Sequence, residues 1–334
     1  MSAMASALVP EPRTLLDVRR LAVRFRSRDG VVAAVQEVSF TLSPGATLSI
    51  LGESGSGKTM TLRALMRLLP PNAELSGQVI FENSDIATLD EATLRAIRGP
   101  KIAMIFQDPM AALDPVYTIG SQISEVIIAH EGVSRAAARV RAKELLDIVQ
   151  IPSAQRRLDA YPHELSGGLR QRAMIALALS CRPKLLLADE PTTALDATVQ
   201  IQVLLLIREL QRALGMAVIL VTHDMGVACE IADDVAVMYA GRFVEMASIA
   251  DMVASPQHPY TQGLRASTVQ AASRGTPLRP ILGAPPDLSQ LPSGCAFAPR
   301  CDQRLEICDA IVPTMTEAGA RRVRCHLFAA QTRS

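Results

Sequence analysis

The octapeptide Gly52-Glu53-Ser54-Gly55-Ser56-Gly57-Lys58-Thr59 constrains this chain more than any other stretch. It fits G-x-x-x-x-G-K-[S/T] in full, follows the apolar strand candidate Thr47–Leu51 and opens the helix candidate Thr59–Leu69. Glycines let the backbone wrap a phosphate, so that N–H groups converge on anionic oxygens at the positive end of a helix. Lys58 adds a point charge for the β- and γ-phosphates, and the Thr59 hydroxyl is a ligand for Mg²⁺. A strand, a glycine-rich loop and a helix in that order give the pattern a mechanism, and the chain reads as a P-loop nucleoside triphosphatase.

The surrounding pattern agrees. From Leu15 to about Met246, short apolar runs alternate with helical periodicity. Further strand candidates are Gln78–Phe81, Ile102–Phe106, Leu185–Ala188, Ala217–Val221 and Val235–Tyr239. Helix candidates are Ser121–His130, Ser134–Val149, Leu169–Leu179, Thr198–Leu214 and Met225–Ala232. Uninterrupted apolar strands such as Leu185-Leu186-Leu187-Ala188 suit a sheet buried on both faces, which predicts an α/β fold. Residues 1–13 read as a disordered tail. Nine of the 21 prolines fall between Pro256 and Pro313, predicting a loop-dominated segment with a boundary near 255–280.

The apolar strand at Leu185 ends in Asp189-Glu190, the form of a Walker B strand. Asp189, at the strand's C-terminal edge, is placed to hold Mg²⁺ through its water shell, and Glu190 to orient or deprotonate an attacking water. An apolar run ending in two acids is by itself more often a strand leaving the core; the upstream phosphate loop shifts the balance to function.

Composition narrows the class further. With 34 Lys+Arg against 33 Asp+Glu the net charge is +1, which argues against a protein that coats nucleic acid or an anionic membrane. No charge-free apolar run reaches the ~18–20 residues of a spanning helix. The first residues, MSAMASALVPEPR, show no basic leader before an apolar stretch, so the expected location is cytoplasmic. Six cysteines in a reducing compartment should mostly be free thiols, as Cys181 and Cys229 are expected to be. The other four are spaced Cys295-x5-Cys301-x6-Cys308-x16-Cys325 within the last 40 residues. Three explanations stand for them: unrelated buried thiols, a tetrahedral Zn²⁺ site, or an iron–sulfur cluster. The close C-x2–4-C pairs usual at zinc are absent, whereas a [4Fe–4S] cluster needs four thiolates and tolerates wide spacing.

Leu165-Ser166-Gly167-Gly168-Leu169-Arg170-Gln171-Arg172, just before the Walker B strand, resembles the signature motif of ABC ATPases. Asp189-Glu190-Pro191-Thr192-Thr193-Ala194-Leu195-Asp196 resembles that family's Walker B strand and D-loop, His223 stands where the family has its switch histidine, and Gln107 matches the Q-loop glutamine. One departure is Leu169, where many ABC proteins carry Gln. The resemblance implies a P-loop NTPase of ABC type, with a mixed sheet core, a β-rich N-terminal subdomain and a helical subdomain at about 108–165, all within 14–255. It also implies two ATPs sandwiched between two such subunits, with Ser166, Gly167 and Gly168 of one facing the ATP of the other, and Asp196 of the D-loop among the nucleotide-site residues. Gln107 would sense the γ-phosphate and Mg²⁺, and His223 would polarise the water. For the aromatic that stacks on adenine the candidate is Phe25, with a plain core Phe as the alternative.

Ser293–Arg300 with Cys301 resembles the C-terminal region of the ATP-binding subunits of oligopeptide/dipeptide importers, and His258-Pro259-Tyr260-Thr261 resembles the motif that opens that region. This implies a small loop-rich C-terminal cysteine domain over 256–334 with a [4Fe–4S] cluster on Cys295, Cys301, Cys308 and Cys325. Zn²⁺ remains the alternative, with His326 beside Cys325 as a further ligand. The family's partners would be a second ATPase subunit, two transmembrane permease subunits whose coupling helices dock between Gln107 and Ser166, and an extracytoplasmic solute-binding protein; no nucleic acid is expected. The chain would then sit peripherally at the cytoplasmic face of the inner membrane and couple ATP hydrolysis to import. A soluble ABC ATPase acting on nucleic acid or ribosomes, and an Fe–S sensor using ATP as a switch, are the alternatives.

Overall fold

The run Leu185-Leu186-Leu187-Ala188 shows how the chain is organised. Successive side chains of a strand point to opposite faces. Leu185 and Leu187 join one core cluster with Ile50, Leu65 and Ile219, while Leu186 and Ala188 join another with Ile105, Ile175 and Leu220. All four are fully buried, so the strand reads as apolar throughout. Leu186→Ala at such a site costs about 2–5 kcal/mol.

The structure is a computed structural model and describes residues 14–27, 30–193, 195–267 and 280–332. The tail expected at 1–13 lies outside the described residues. The strands are β1 (Leu16–Ser27), β2 (Gly30–Leu42), β3 (Thr47–Leu51), β4 (Ala73–Phe81), β5 (Ser84–Asp85), β6 (Ile102–Ile105), β7 (Leu185–Asp189), β8 (Ala217–Thr222), β9 (Asp234–Tyr239), β10 (Arg242–Ser248), β11 (Thr316–Ala318) and β12 (Arg321–Val323). The helices up to the Walker B strand are α1 (Lys58–Leu65), α2 (Glu91–Ile97), α3 (Pro109–Ala112), α4 (Ile119–Glu131), α5 (Arg135–Ile148), α6 (Ala154–Arg157) and α7 (Gly167–Ala178). Beyond it lie α8 (Ala197–Leu214), α9 (Met225–Ile231), α10 (Ile249–Ala254), α11 (Pro259–Ala266), α12 (Ile307–Ala310) and α13 (His326–Gln331).

Eight strands form a mixed sheet in the order β11-β12-β10-β9-β3-β8-β7-β6. The five from β9 to β6 run parallel, and β10, β12 and β11 add antiparallel at one edge. A second, antiparallel sheet of order β2-β1-β4-β5 carries the β-rich N-terminal part. Its apolar face (Val23, Val35, Phe40, Phe81) packs into the same cluster as Leu185 and Leu187. On the other face of the main sheet, Ile123 and Ile127 of α4 and Ala138, Ala142 and Leu146 of α5 pack with Ile175 of α7. The resulting α/β architecture matches the expected fold class.

The C-terminal segment does not stand apart from this sheet. Glu245 and Met246 of β10 pair with Val323 and Arg322 of β12. Glu245 is fully buried, and its carboxylate accepts hydrogen bonds from the backbone N–H groups of Gln257 and His258 at 2.9 and 2.8 Å. A short sheet edge and a buried carboxylate thus tie a proline-rich segment to the main core. Among the described residues no helix is long and apolar enough to cross a membrane.

Candidate nucleotide site

The phosphate loop leaves β3 at Leu51 and enters α1 at Lys58. Two glycines are required by space as well as by phosphate. A Cβ on Gly52 would fall 2.3 Å from the Met238 carbonyl oxygen, and one on Gly57, at φ +105°, would fall 2.3 Å from that of Ala34. Lys58 Nζ donates to the carbonyls of Gly52 and Glu53 at 2.7 and 2.8 Å, folding the loop around the ammonium. Burial pulls the Lys58 pKa down, against the opposing pull of Glu190, Asp189 and Glu53.

Beside the loop, the Thr59 hydroxyl donates to Asp189 Oδ1 at 2.9 Å. Burial pushes the Asp189 carboxyl up, and the Thr59 hydrogen bond partly offsets this. A hydroxyl and a carboxylate are oxygen donors of the kind Mg²⁺ takes together with substrate phosphates, so the pair fits the ion.

Glu190 is the hub of the remaining groups. Its Oε2 accepts from the Thr193 hydroxyl at 2.7 Å, stands 3.3 Å from His223 Nδ1, and accepts from Gln107 Nε2 at 3.4 Å. Its Oε1 is 3.9 Å from Lys58 Nζ. Glu190 also holds φ at 43°, an unfavourable conformation for a residue with a Cβ, fixed by its N–H bond to Val221 O at 3.0 Å. His223 is 57% exposed, which leaves its second ring nitrogen open to a ligand. These groups face a cavity of about 820 Å³ lined by Ser54, Gly55, Lys58, Thr59, Gln107, Glu190, Thr193 and His223, a volume suited to a small-molecule ligand.

Other expected residues lie elsewhere. Ser166 and Gly167 are exposed at the N-terminus of α7, outside that cavity lining. A Cβ on Gly168 would meet Val199 Cγ1 at 2.8 Å, so this glycine also serves close packing against α8. Asp196 caps α8, accepting from the N–H groups of Thr198 and Val199 at 3.1 and 3.0 Å. Phe25 is half-buried in β1 and packs against the N-terminal core, also outside the cavity lining. Ser56 Oγ is buried with no partner among the described residues, an orphaned hydroxyl inside the phosphate loop.

Glu53 is engaged differently from its neighbours. Its N–H donates to the Tyr260 hydroxyl at 2.9 Å, and its carboxylate accepts both terminal nitrogens of Arg300, at 2.7 and 3.0 Å. Tyr260 and Arg300 fall within the two segments that resemble the importers' C-terminal region, but the sequence pattern gives neither a role at the nucleotide site. They lie more than 200 residues downstream, and no local spacing signals their return. Thr193 was likewise only part of a longer motif.

All six cysteines are free thiols. Cys295, Cys301, Cys308 and Cys325 line one small cavity, together with His258 and His326. Burial raises the Cys295, Cys301 and Cys325 thiols, Cys301 to about 11, and neighbouring cysteines of the group add to the rise. Among the described residues no three His, Cys, Asp or Glu side chains are arranged to hold a single metal ion. Zinc binds all its ligands at one point, about 2.3 Å from each sulfur, and this geometry does not offer that. A four-iron cluster also takes four thiolates, one per iron, but no such centre is formed among the described residues, where the cavity between the thiols is about 10 Å³.

The loop, the acid pair and the sheet behind them define an ATP-binding cassette. The profile of the ABC transporter family matches residues 35–193, and that of the oligopeptide/dipeptide transporter C-terminal region matches residues 244–308. The dipeptide transport ATP-binding protein DppD of Bacillus subtilis is 47% identical over 94% of this chain and 94% of its own length. The oligopeptide transport ATP-binding proteins OppD of Haemophilus influenzae and Salmonella typhimurium are 48% and 47% identical, over 94% and 95% of this chain and 98% and 95% of theirs. The ATP-binding cassette MJ0796, solved as a dimer in a post-hydrolysis state with ADP and Pi, superposes with a TM-score of 0.63. It is 29% identical, over 70% of this chain and 98% of its own. This chain belongs to the ABC transporter ATP-binding proteins, on the oligopeptide/dipeptide branch, and is an ATPase.

Proposed function

We propose that this chain is the ATP-hydrolysing subunit of a peptide importer, working at the cytoplasmic face of the cell membrane. On this reading it pairs with a second ATPase subunit beneath two separate permease subunits, which receive cargo from an extracytoplasmic binding protein. The observation that carries the proposal is the likeness to DppD and OppD proteins, which runs through both the cassette and the C-terminal region.

The chemistry follows from the cluster around Glu190. Lys58 and the loop amides bind the ATP phosphates. Thr59 and Asp189 would hold Mg²⁺, which neutralises charge developing on the transferred phosphoryl group. Glu190 Oε2 accepts a hydrogen bond from the attacking water and takes its proton, while the exposed nitrogen of His223 reaches the γ-phosphate. Gln107, bonded to the same carboxylate oxygen, links phosphate occupancy to the helices that follow it. Ser166, Gly167 and Gly168, outside this chain's own cavity, are assigned to the nucleotide of the partner ATPase subunit, and Asp196 is assigned to the nucleotide site as the D-loop acid. Phe25 is the residue assigned to stack on adenine. Cys295, Cys301, Cys308 and Cys325 would hold a [4Fe–4S] cluster whose role is to knit together a proline-rich segment.

Two measurements test the proposal. Purified with its permease subunits, the chain is expected to show ATPase activity stimulated by peptide-loaded binding protein; a basal rate indifferent to peptide contradicts the cargo assignment. Full-length protein purified anaerobically is expected to contain iron and acid-labile sulfide in equal amounts. Zinc without sulfide, or neither metal, contradicts the cluster.

A further inference from the structure

The phosphate loop carries one acid, Glu53, where the ligand is a polyanion. Every polar group of that residue is committed. Its carbonyl accepts from Lys58 at 2.8 Å and its N–H donates to Tyr260 at 2.9 Å. Its two carboxylate oxygens accept the two arms of the Arg300 fork at 2.7 and 3.0 Å. The Arg300 side chain is only 6% exposed and that of Glu53 27%, so the guanidinium is the shielded partner and the carboxylate keeps some access to water. Arg300 is itself fixed: Nε donates to Leu282 O at 2.9 Å, and Nη1 lies 3.3 Å from the Tyr239 hydroxyl. It ends the single turn Ala298–Arg300, directly before Cys301. Behind it, the rings of Tyr239, Tyr260 and Phe297 pack with centroids 4.6–5.4 Å apart.

Glu53 also acts electrostatically on Lys58, the cation that meets the phosphates. Left without a counter-charge, it would compete for Lys58 and repel the incoming polyanion. We propose that Arg300 is a charge-compensating positioning residue for the phosphate loop: with Tyr260 it fixes Glu53, neutralises it and leaves Lys58 free for ATP. The C-terminal cysteine segment thereby sets the ATP affinity of its own chain. The proposal rests on Gly52–Thr59 being the phosphate site, and bidentate guanidinium–carboxylate geometry gives it orientation as well as charge.

The test is Mg·ATP dependence of turnover in the assembled importer, with equilibrium ATP binding to the full chain. Arg300→Gln is expected to raise KM and Kd by about tenfold while kcat at saturation stays within about threefold, as loss of one charge-assisted contact predicts. Added salt should shrink this effect, because screening weakens the uncompensated charge. Arg300→Lys, which keeps the charge, is expected to recover most of the affinity. Combining Arg300→Gln with Glu53→Gln should restore it, since no acid then remains to repel phosphate; a purely scaffolding Arg300 would leave the double variant as weak as the single one. Tyr260→Phe removes only the hydroxyl and is expected to raise KM at unchanged kcat. An unchanged KM in Arg300→Gln, or a double variant no better than the single, overturns the proposal. Should Arg300→Gln fail to fold, a wild-type KM in Tyr260→Phe overturns it. Lys58→Ala separates this from the premise: if that variant still binds ATP normally, the loop itself is not the phosphate site.

Discussion

Glu190→Gln keeps the shape of the side chain and removes its charge and basicity. The backbone anchor, N–H to Val221 O at 3.0 Å, is untouched, and the side chain is 14% exposed, so the variant should fold normally. What changes is the centre of the cluster, since Oε2 faces Thr193, His223 and Gln107. Loss of a positioned general base commonly costs ~10²–10⁴ in rate, which is about 2.7–5.4 kcal/mol in the barrier. Binding should move the other way. At 3.9 Å, Lys58 and Glu190 attract each other by about 4 kcal/mol in an effective dielectric near 20, before solvent screening, and ATP must compete with that attraction. The variant is therefore expected to bind ATP at least as tightly as the native chain while releasing phosphate at least about a hundredfold more slowly. Equilibrium nucleotide binding and phosphate release at saturating Mg·ATP read the two quantities separately. Turnover within about threefold of the native rate, or loss of ATP binding, would refute the role given to Glu190.

Two further outcomes follow from the same contacts. Thr59→Ala removes the hydroxyl that bonds Asp189 at 2.9 Å, and should shift the Mg²⁺ dependence of hydrolysis to higher concentration with less effect on metal-free ATP binding. Glu82 is held below the usual carboxylate range by hydrogen bonds from Lys101 and then Lys184, so its folded-state pKa lies under the unfolded one. Its contribution is present above the unfolded pKa and is lost as pH falls through the folded value. Glu82→Gln should therefore reduce the unfolding free energy at neutral pH by under ~1 kcal/mol per pair, seen as a lower melting temperature, and the difference should vanish in acid.

What the sequence revealed was chemistry concentrated in consecutive residues. The phosphate loop places its glycines, Lys58 and Thr59 in eight consecutive residues, and β3 and β7 are short runs buried on both faces, so their bounds could be read almost to the residue. β1 and β2 escaped because bulges break their alternation. Arg20 and Glu37 sit at φ 48° and 52° in these strands and pair with each other at 2.6 Å. Helix α1 was expected to run to Leu69 but stops at Leu65, since Arg67 turns left-handed and Arg98 bonds the Met66 and Arg67 carbonyls at 2.9 and 3.2 Å. That cap comes from another element and leaves no local trace. The clamp on Glu53 spans 247 residues and is invisible to any spacing argument for the same reason. The hydrogen bond from Thr193 to Glu190 is local but depends on the positive φ of Glu190, which its residue type does not announce.

The most direct test is peptide uptake into sealed vesicles carrying this chain with its permease subunits, partner ATPase subunit and binding protein. ATP is supplied on the side where this chain sits, and the native chain is run beside Glu190→Gln. The account predicts ATP-dependent accumulation of peptide with the native chain and none with the variant despite intact ATP binding. Equal accumulation with both chains, or hydrolysis by the native chain with no peptide movement, would contradict it.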